Sequence, residues 1–234
     1  MGEKCAWGPS MTRLLVLVEG QSEEVFVKRT LTPHLQNYGV YVQSPKILWT
    51  KRLASGGGYR GGASSWHQVR RDLSALSTDA NAWITTILDF YGLPDNTPGM
   101  MDQMQESNAQ NRVLAVQMQL GTSINHQRFI PFLALHEFEA WIFSDPQVVE
   151  NHFTRPQLAD QMRDIVQKTG GPEMINHGAS THPKARLRHL IGSYKETADG
   201  PTLIEKIGLK TIRGACPHFD RWLSQLEGLG SSTD

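Results

Sequence analysis

Leu14-Leu15-Val16-Leu17-Val18-Glu19-Gly20-Gln21-Ser22-Glu23-Glu24-Val25-Phe26-Val27 is the stretch that decides the fold. Its unbroken apolar run reads as a strand buried on both faces, the signature of a parallel sheet covered by helices. The run ends in an acid and a glycine, and a helix opens at once. Ser22 is the expected N-cap, and Glu23 and Glu24 fall in a first turn that favours acids. Such a strand delivers the Glu19 carboxylate to the rim of a sheet. Two further apolar runs end alike. Trp83-Ile84-Thr85-Thr86-Ile87-Leu88 runs into Asp89, and Phe129-Ile130-Pro131-Phe132-Leu133-Ala134-Leu135 runs into His136, Glu137 and Glu139. One strand with a polar end means little. Three tipped with acids match the layout in which an open α/β sheet gathers ligands beyond its strand ends.

Outward from these strands the elements alternate. A helix is expected over 22–35 and a second strand over 46–50. Gly56-Gly57-Gly58-Tyr59-Arg60-Gly61-Gly62 is expected to break regular structure and to form a mobile loop whose backbone amides can approach a phosphate. It lacks the Gly-Lys-Ser/Thr ending of a nucleotide-binding P-loop. Trp66, Val69, Leu73 and Leu76 mark a helix resuming near Ala63. Turn formers crowd 92–99, a polar helix is expected over 101–120, and another opens at 137–143. Strand–helix alternation of this kind implies a mostly parallel sheet with helices on both faces. Beyond Asp145 the signal is helical only. The chain therefore divides into an α/β domain over 11–145 and a helical appendage over 146–228, with a frayed tail from Gly228. Phe219, Trp222 and Leu226 form an apolar stripe that reads as the docking face of the last helix.

Composition narrows the function. The chain has 234 residues, with 23 basic and 23 acidic side chains, so no global basic field advertises a protein that coats nucleic acid. An enzyme with a local basic groove remains compatible. Cys5 and Cys216 stand far apart, which excludes a disulfide framework and a structural zinc site. No apolar run reaches transmembrane length and residues 1–10 lack the pattern of a signal peptide, so the expectation is a cytoplasmic protein without a membrane.

Carboxylates converging at one sheet edge repel one another and need a counter-ion. Oxygen-rich clusters suit Mg²⁺ or Mn²⁺. Glu19, Asp89, Glu137 and Glu139 are the candidate ligands, with Glu23 and Asp95 as further possibilities. Glu137 and Glu139 cannot share a face if that segment is already helical, whereas both can face the site if it is extended. In the C-terminal part, Lys184 and Arg188 share one face of a helix starting near Pro183, and Arg186 points elsewhere.

Four segments carry a family resemblance: Val18-Glu19-Gly20-Gln21-Ser22-Glu23-Glu24, Asp89-Phe90-Tyr91-Gly92-Leu93-Pro94, His136-Glu137-Phe138-Glu139-Ala140-Trp141 and His182-Pro183-Lys184-Ala185-Arg186-Leu187. A strand ending in Glu-Gly followed by Ser-Glu-Glu, with a later strand ending in Asp, resembles the Toprim fold of topoisomerases, primases and OLD-class nucleases. Together the four segments resemble a bacterial Toprim-like family catalogued as domain of unknown function 4276, related to RloB-like proteins. The resemblance implies a Rossmannoid sheet and a Mg²⁺- or Mn²⁺-dependent nuclease acting on DNA or RNA. It also implies an ABC-type, OLD-like ATPase partner and a place in phage defence. Glu19, Asp89 and Lys184 would be its catalytic residues, with Lys184 holding the scissile phosphate, and Arg186 and Lys195 would contact the nucleic-acid backbone.

The chain departs from the Toprim pattern at one point. Asp89 is followed by Phe90 and Tyr91, where a second aspartate two residues on is usual. Topoisomerase and primase chemistry are thereby disfavoured. Three classes stay open: a metal-dependent nuclease, a non-catalytic subunit binding an ATPase or nucleic acid, and a phosphohydrolase with Asp89 as nucleophile.

Overall fold

The residue alternation expected of a doubly covered strand is realised in β1 (Thr12–Val18). Leu14, Val16 and Val18 enter one apolar cluster, and Leu15 and Leu17 enter another on the opposite face. The computed structural model describes residues 12–52, 58–60, 65–103, 106–175, 178 and 180–231. After β1 come α1 (Gln21–Phe26), a π-helical turn (Val27–Leu31) and α2 (Thr32–Gln36). The wide turn precedes Pro33, whose missing N–H interrupts the helical ladder. Next are β2 (Val40–Val42), β3 (Lys46–Ile47), β4 (Trp49–Arg52), β5 (Gly58–Arg60), α3 (Trp66–Leu76) and β6 (Trp83–Asp89). α4 (Ala109–Ile124), β7 (Phe129–Ile130) and β8 (Leu133–Ala134) follow, and a 3₁₀ segment covers Phe138–Ser144. The remainder is helical: α5 (Pro146–Phe153), α6 (Leu158–Thr169), α7 (Pro183–Ile191), α8 (Glu196–Ile207), α9 (Leu209–Ala215) and α10 (Pro217–Gly228).

The main sheet runs in the order β2-β1-β6-β7, and every pairing in it is parallel, including β3 on β1 and β8 on β6. This is an α/β fold with a largely parallel sheet, helices on both faces and extra C-terminal helices. α3 and α4 supply Val69, Leu73, Val113 and Val116 to one face. The other face is covered by α1, α2 and the C-terminal helices. There Phe26, Trp141 and Phe219 form an aromatic group with centroid separations of 5.5 and 4.7 Å. Phe219, Trp222 and Leu226 are buried, so the stripe on α10 is its docking face.

Several boundaries differ from those expected. The strand sought at 46–50 is split. Lys46–Ile47 pairs with β1, while Trp49–Arg52 leaves the sheet to form an antiparallel hairpin with β5. The glycine-rich segment is thus strand at Gly58–Arg60; its residues 56–57 and 61–62, like Ala63, lie outside the described residues. The polar helix begins at Ala109 rather than near 101, because Asn108 accepts from the N–H groups of Gln110 (2.9 Å) and Asn111 (3.1 Å) and caps it there. Residues 228–231 do not fray. Leu229 is buried and its carbonyl accepts from Thr12 Oγ1 at 3.1 Å. A Cβ on Gly230 would fall 1.5 Å from the Tyr38 carbonyl oxygen, so only glycine permits this approach.

Pro131 breaks the third strand between β7 and β8, since it has no N–H for the ladder. Thr86 fills the gap. Its hydroxyl donates to the Phe132 carbonyl (2.7 Å) and accepts from the Phe132 N–H (2.9 Å). Beside it, Thr85 Oγ1 donates to the Ile130 carbonyl (2.7 Å) and accepts from Trp222 Nε1 (2.9 Å), pinning α10 to the sheet. Thr86→Val keeps the shape and leaves the buried Phe132 backbone groups unpaired. It should lower unfolding free energy by about 1–3 kcal/mol in urea denaturation. An unchanged midpoint would show that the threonine bridge does not hold the strand.

Candidate metal centre

The register of the central strands brings the first two acids together. Val18 stands opposite Ile87, and the Glu19 N–H continues the ladder to the Ile87 carbonyl at 3.1 Å. One step on, the Asp89 N–H donates to Glu19 Oε2 at 2.9 Å. A 3₁₀ turn, Phe90–Gly92, then folds over this carboxylate. A Cβ on Gly92 would lie 3.0 Å from Glu19 Oε1, so a side chain there would press on the acid. Gly20, not Ser22, is the N-cap of α1. Glu23 reaches back to accept from the Gly20 N–H (2.9 Å), which leaves the Ser22 hydroxyl to donate to the Glu196 carbonyl on α8 (3.3 Å).

The segment after β8 separates its two glutamates. Glu137 is extended, with φ −151° and ψ 160°, and the 3₁₀ turn begins after it. The Phe138 N–H donates to Asp89 Oδ1 at 3.1 Å, tying this turn to the second strand. Glu139 is buried and Tyr194 OH donates to its Oε1 at 3.4 Å. Glu137 turns instead toward α7, where its Oε2 accepts from the Lys184 N–H (2.9 Å) and lies 2.8 Å from His182 Nδ1. The Ala185 N–H also approaches that nitrogen, at 3.4 Å. The shorter carboxylate contact decides the tautomer, so Nδ1 carries the proton. The Lys184 ammonium lies 3.6 Å from Glu196, 3.9 Å from Glu139 and 4.0 Å from Glu137. Arg188 pairs with Glu196 as well, as its four-residue spacing from Lys184 implies.

A cavity of about 190 Å³ lies where these groups meet, lined by Glu19, Glu23, Asp89, Glu139, Lys184 and Glu196 among others. Its electrostatics are those of too many acids in one place. Burial pushes Glu139 up to about 8, against the pull of Lys184 and with help from Glu137 and Glu23. Burial likewise pushes Glu23 up to about 7. Asp89 is held well above the usual carboxylate range by burial and then by Glu19, Glu23 and Glu139. Glu19 is raised by burial, though the Asp89 N–H and Lys184 oppose this. Burial alone would lower Lys184, but Glu139, Asp89, Glu137 and Glu196 outweigh it and raise the ammonium above its usual range.

The structure therefore brings together Glu19, Glu23, Asp89, Glu139 and Lys184, with Glu137 behind the lysine. It does not bring in Asp95, which is exposed on its loop and does not line the cavity. Arg186 is engaged locally, its Nε donating to the Thr181 carbonyl at 2.6 Å, and Lys195 is exposed with its N–H on Asp199 (2.7 Å). Glu196, Tyr194 and His182 were not anticipated as members. Nothing local marks the first two, since they enter through the packing of α8. The donor set offered by Glu19, Glu23, Asp89 and Glu139 is all oxygen, and its protons compete with any cation. That chemistry fits a hard divalent ion. Among the described residues, however, no group of three or more His, Cys, Asp or Glu side chains is gathered closely enough to clasp one. Glu19, Glu23 and Asp89 each accept from a different backbone N–H instead.

A parallel α/β sheet with an acid-lined cavity at its strand ends is the class that fold and geometry define. A family described as "Domain of unknown function (DUF4276)" matches residues 18–227, and the chain belongs to it. No curated protein matches. The chain is similar to the C-terminal region of the OLD protein of Xanthomonas campestris pv. campestris at 14% identity and a TM-score of 0.44, covering 94% of this chain and 97% of that one. It is similar also to the C-terminal region of the Burkholderia pseudomallei OLD protein, at 14% identity and a TM-score of 0.44, over 94% and 98%. Among the described residues no helix is long and apolar enough to cross a membrane.

The raised carboxyl groups have a consequence for stability. Glu139 titrates at about 8 in the folded protein against 4.5 in an unfolded chain, so between those values the folded state binds the extra proton. Stability contributed by that proton is present at low pH and is lost as pH rises through this window. In EDTA, the melting temperature of the wild type should fall between pH 5 and 8, and Glu139→Gln should flatten part of that fall. Identical slopes for the two proteins would show that Glu139 is ionised throughout.

Proposed function

We propose that the protein is a divalent-metal-dependent nuclease. The observation that carries this reading is a single lysine held beside Glu139 and within the electrostatic reach of Asp89, in the lining of a cavity whose other charged groups are acids. An all-acidic site repels a polyanion, and Lys184 gives this one a point charge for a phosphate oxygen. Glu19, Asp89, Glu139 and Glu23 would hold Mg²⁺ or Mn²⁺. Bound there, such an ion supplies Lewis-acid activation of water and neutralises charge on a phosphodiester. The protein's own contribution is to keep the oxygen donors at one sheet edge and the ammonium opposite them. Backbone contacts to the nucleic acid by Arg186 and Lys195, and an ABC-type ATPase partner, belong to the proposal through the resemblance of the four motif segments.

A second reading, a non-catalytic subunit, is favoured by one feature. Tyr91 occupies the position of the usual second aspartate, and its ring stacks on His136 at 5.2 Å. Tyr91 therefore supplies no carboxylate where the usual pattern has its second aspartate. A nucleophilic role for Asp89 is the weakest reading, because a carboxyl group held above its usual range is a poor nucleophile at neutral pH.

Calorimetric titration of Mn²⁺ should show binding to the wild type and none to Glu19→Ala/Asp89→Ala. Single- and double-stranded DNA and RNA, tested with Mn²⁺ and with an ATPase partner and ATP, should include a cleaved substrate. Lys184→Ala should lower that rate by about a hundredfold or more, the usual cost of removing a group that stabilises transition-state charge. Metal binding without cleavage of any substrate would leave the non-catalytic reading. Cleavage that survives Lys184→Ala would remove the role given to the lysine.

A further inference from the structure

We propose that Glu137 is a positioning residue for Lys184 and not a ligand of the metal ion; the inference rests on the nuclease reading of the same cavity. Glu137 and Glu139 stand in one motif, yet they face different tasks. Glu139 lines the cavity and Glu137 does not. The extended backbone at Glu137 sends its side chain to the start of α7, where Oε2 takes both the Lys184 N–H (2.9 Å) and His182 Nδ1 (2.8 Å). This oxygen thereby serves the N-cap residue of α7 and the second residue of the helix. An anion at a helix N-terminus is favoured by the exposed N–H groups and by the dipole.

The clamp acts on the backbone of the very residue whose side chain enters the site. A lysine side chain is a flexible four-carbon stem, so the location of its ammonium depends on where its Cα is held. Glu137 ties that Cα to the end of β8, the same end from which Phe138 reaches Asp89. Glu196 and Glu139 then confine the ammonium at 3.6 and 3.9 Å. Without Glu137, α7 keeps its apolar anchors Leu187 and Ile191 in the core but loses its tie to the sheet at the end that bears the lysine.

Three readouts separate the alternatives. In Glu137→Ala, calorimetric Mn²⁺ affinity should be little changed, while acylation of Lys184 by an N-hydroxysuccinimide ester, followed by peptide mass spectrometry, should speed up. Cleavage should lose kcat by up to about a hundredfold at similar KM, the scale expected of a misplaced reacting group. Glu137→Gln retains an acceptor oxygen for the Lys184 N–H and should recover most of kcat. Adding Glu137→Ala to Lys184→Ala should cost nothing more. His182→Ala, which removes one partner of the clamp, should move acylation in the same direction and serves if Glu137→Ala fails to fold. A loss of about tenfold or more in Mn²⁺ affinity with unchanged Lys184 reactivity would make Glu137 a ligand and overturn the proposal. Unchanged acylation and unchanged kcat would overturn it too, leaving a simple helix anchor. If the wild type neither binds Mn²⁺ nor cleaves, the nuclease reading fails by itself, and the acylation rates still decide the clamp.

Discussion

The hydrogen bond from the Asp89 N–H to the Glu19 carboxylate joins the ends of the two central strands, and the rest of the site is arranged around it. It requires the parallel register that sets Val18 against Ile87. Given that register, the turn over Phe90–Gly92 must clear the acid, the Phe138 N–H can reach Asp89, and the third acidic segment arrives beside the first two. A slip of one residue would send β1's apolar side chains to the wrong faces as well as parting the acids.

What this arrangement has to offset is charge. Five carboxyl groups, those of Glu19, Glu23, Asp89, Glu139 and Glu196, share one cavity with one ammonium, and the buried ones with raised titration behave as groups that cannot all ionise together. Backbone N–H donors relieve part of this for Glu19, Glu23 and Asp89. Lys184, with Glu196 and Arg188 at its outer side, relieves more. The repulsion that remains is what the proposed doubly charged ion would neutralise.

Much of this was legible in the sequence, for a definite reason. β1 and β6 are covered on both faces, so nearly every residue in them is apolar or paired and their ends are marked by acids. Lys184 and Arg188 share a face because their spacing allows nothing else on a helix. Other features depend on single contacts that periodicity does not carry. Asn108 alone decides where α4 begins. Pro131 interrupts a strand that looks continuous, and only Thr86 on another strand explains how the interruption is tolerated. The division of labour between Glu137 and Glu139 turns on one extended residue before a 3₁₀ turn. Glu173, buried and accepting from the N–H groups of His218 and Phe219 at 2.9 Å each, caps α10 from a distant segment that no local pattern connects to it.

The bond between Ser22 and the Glu196 carbonyl spans 174 positions, and that between Thr12 and Leu229 spans 217. Contacts of such separation form late, because the intervening chain must be ordered before they reward it. During synthesis the strands bearing Glu19 and Asp89 emerge well before the segment bearing Lys184. A nascent chain therefore carries the acids without their counter-charge, and the cavity comes into being only after α7 and α8 have left the ribosome. The acid-lined space and its ammonium are thus products of the last stage of folding and not of the first.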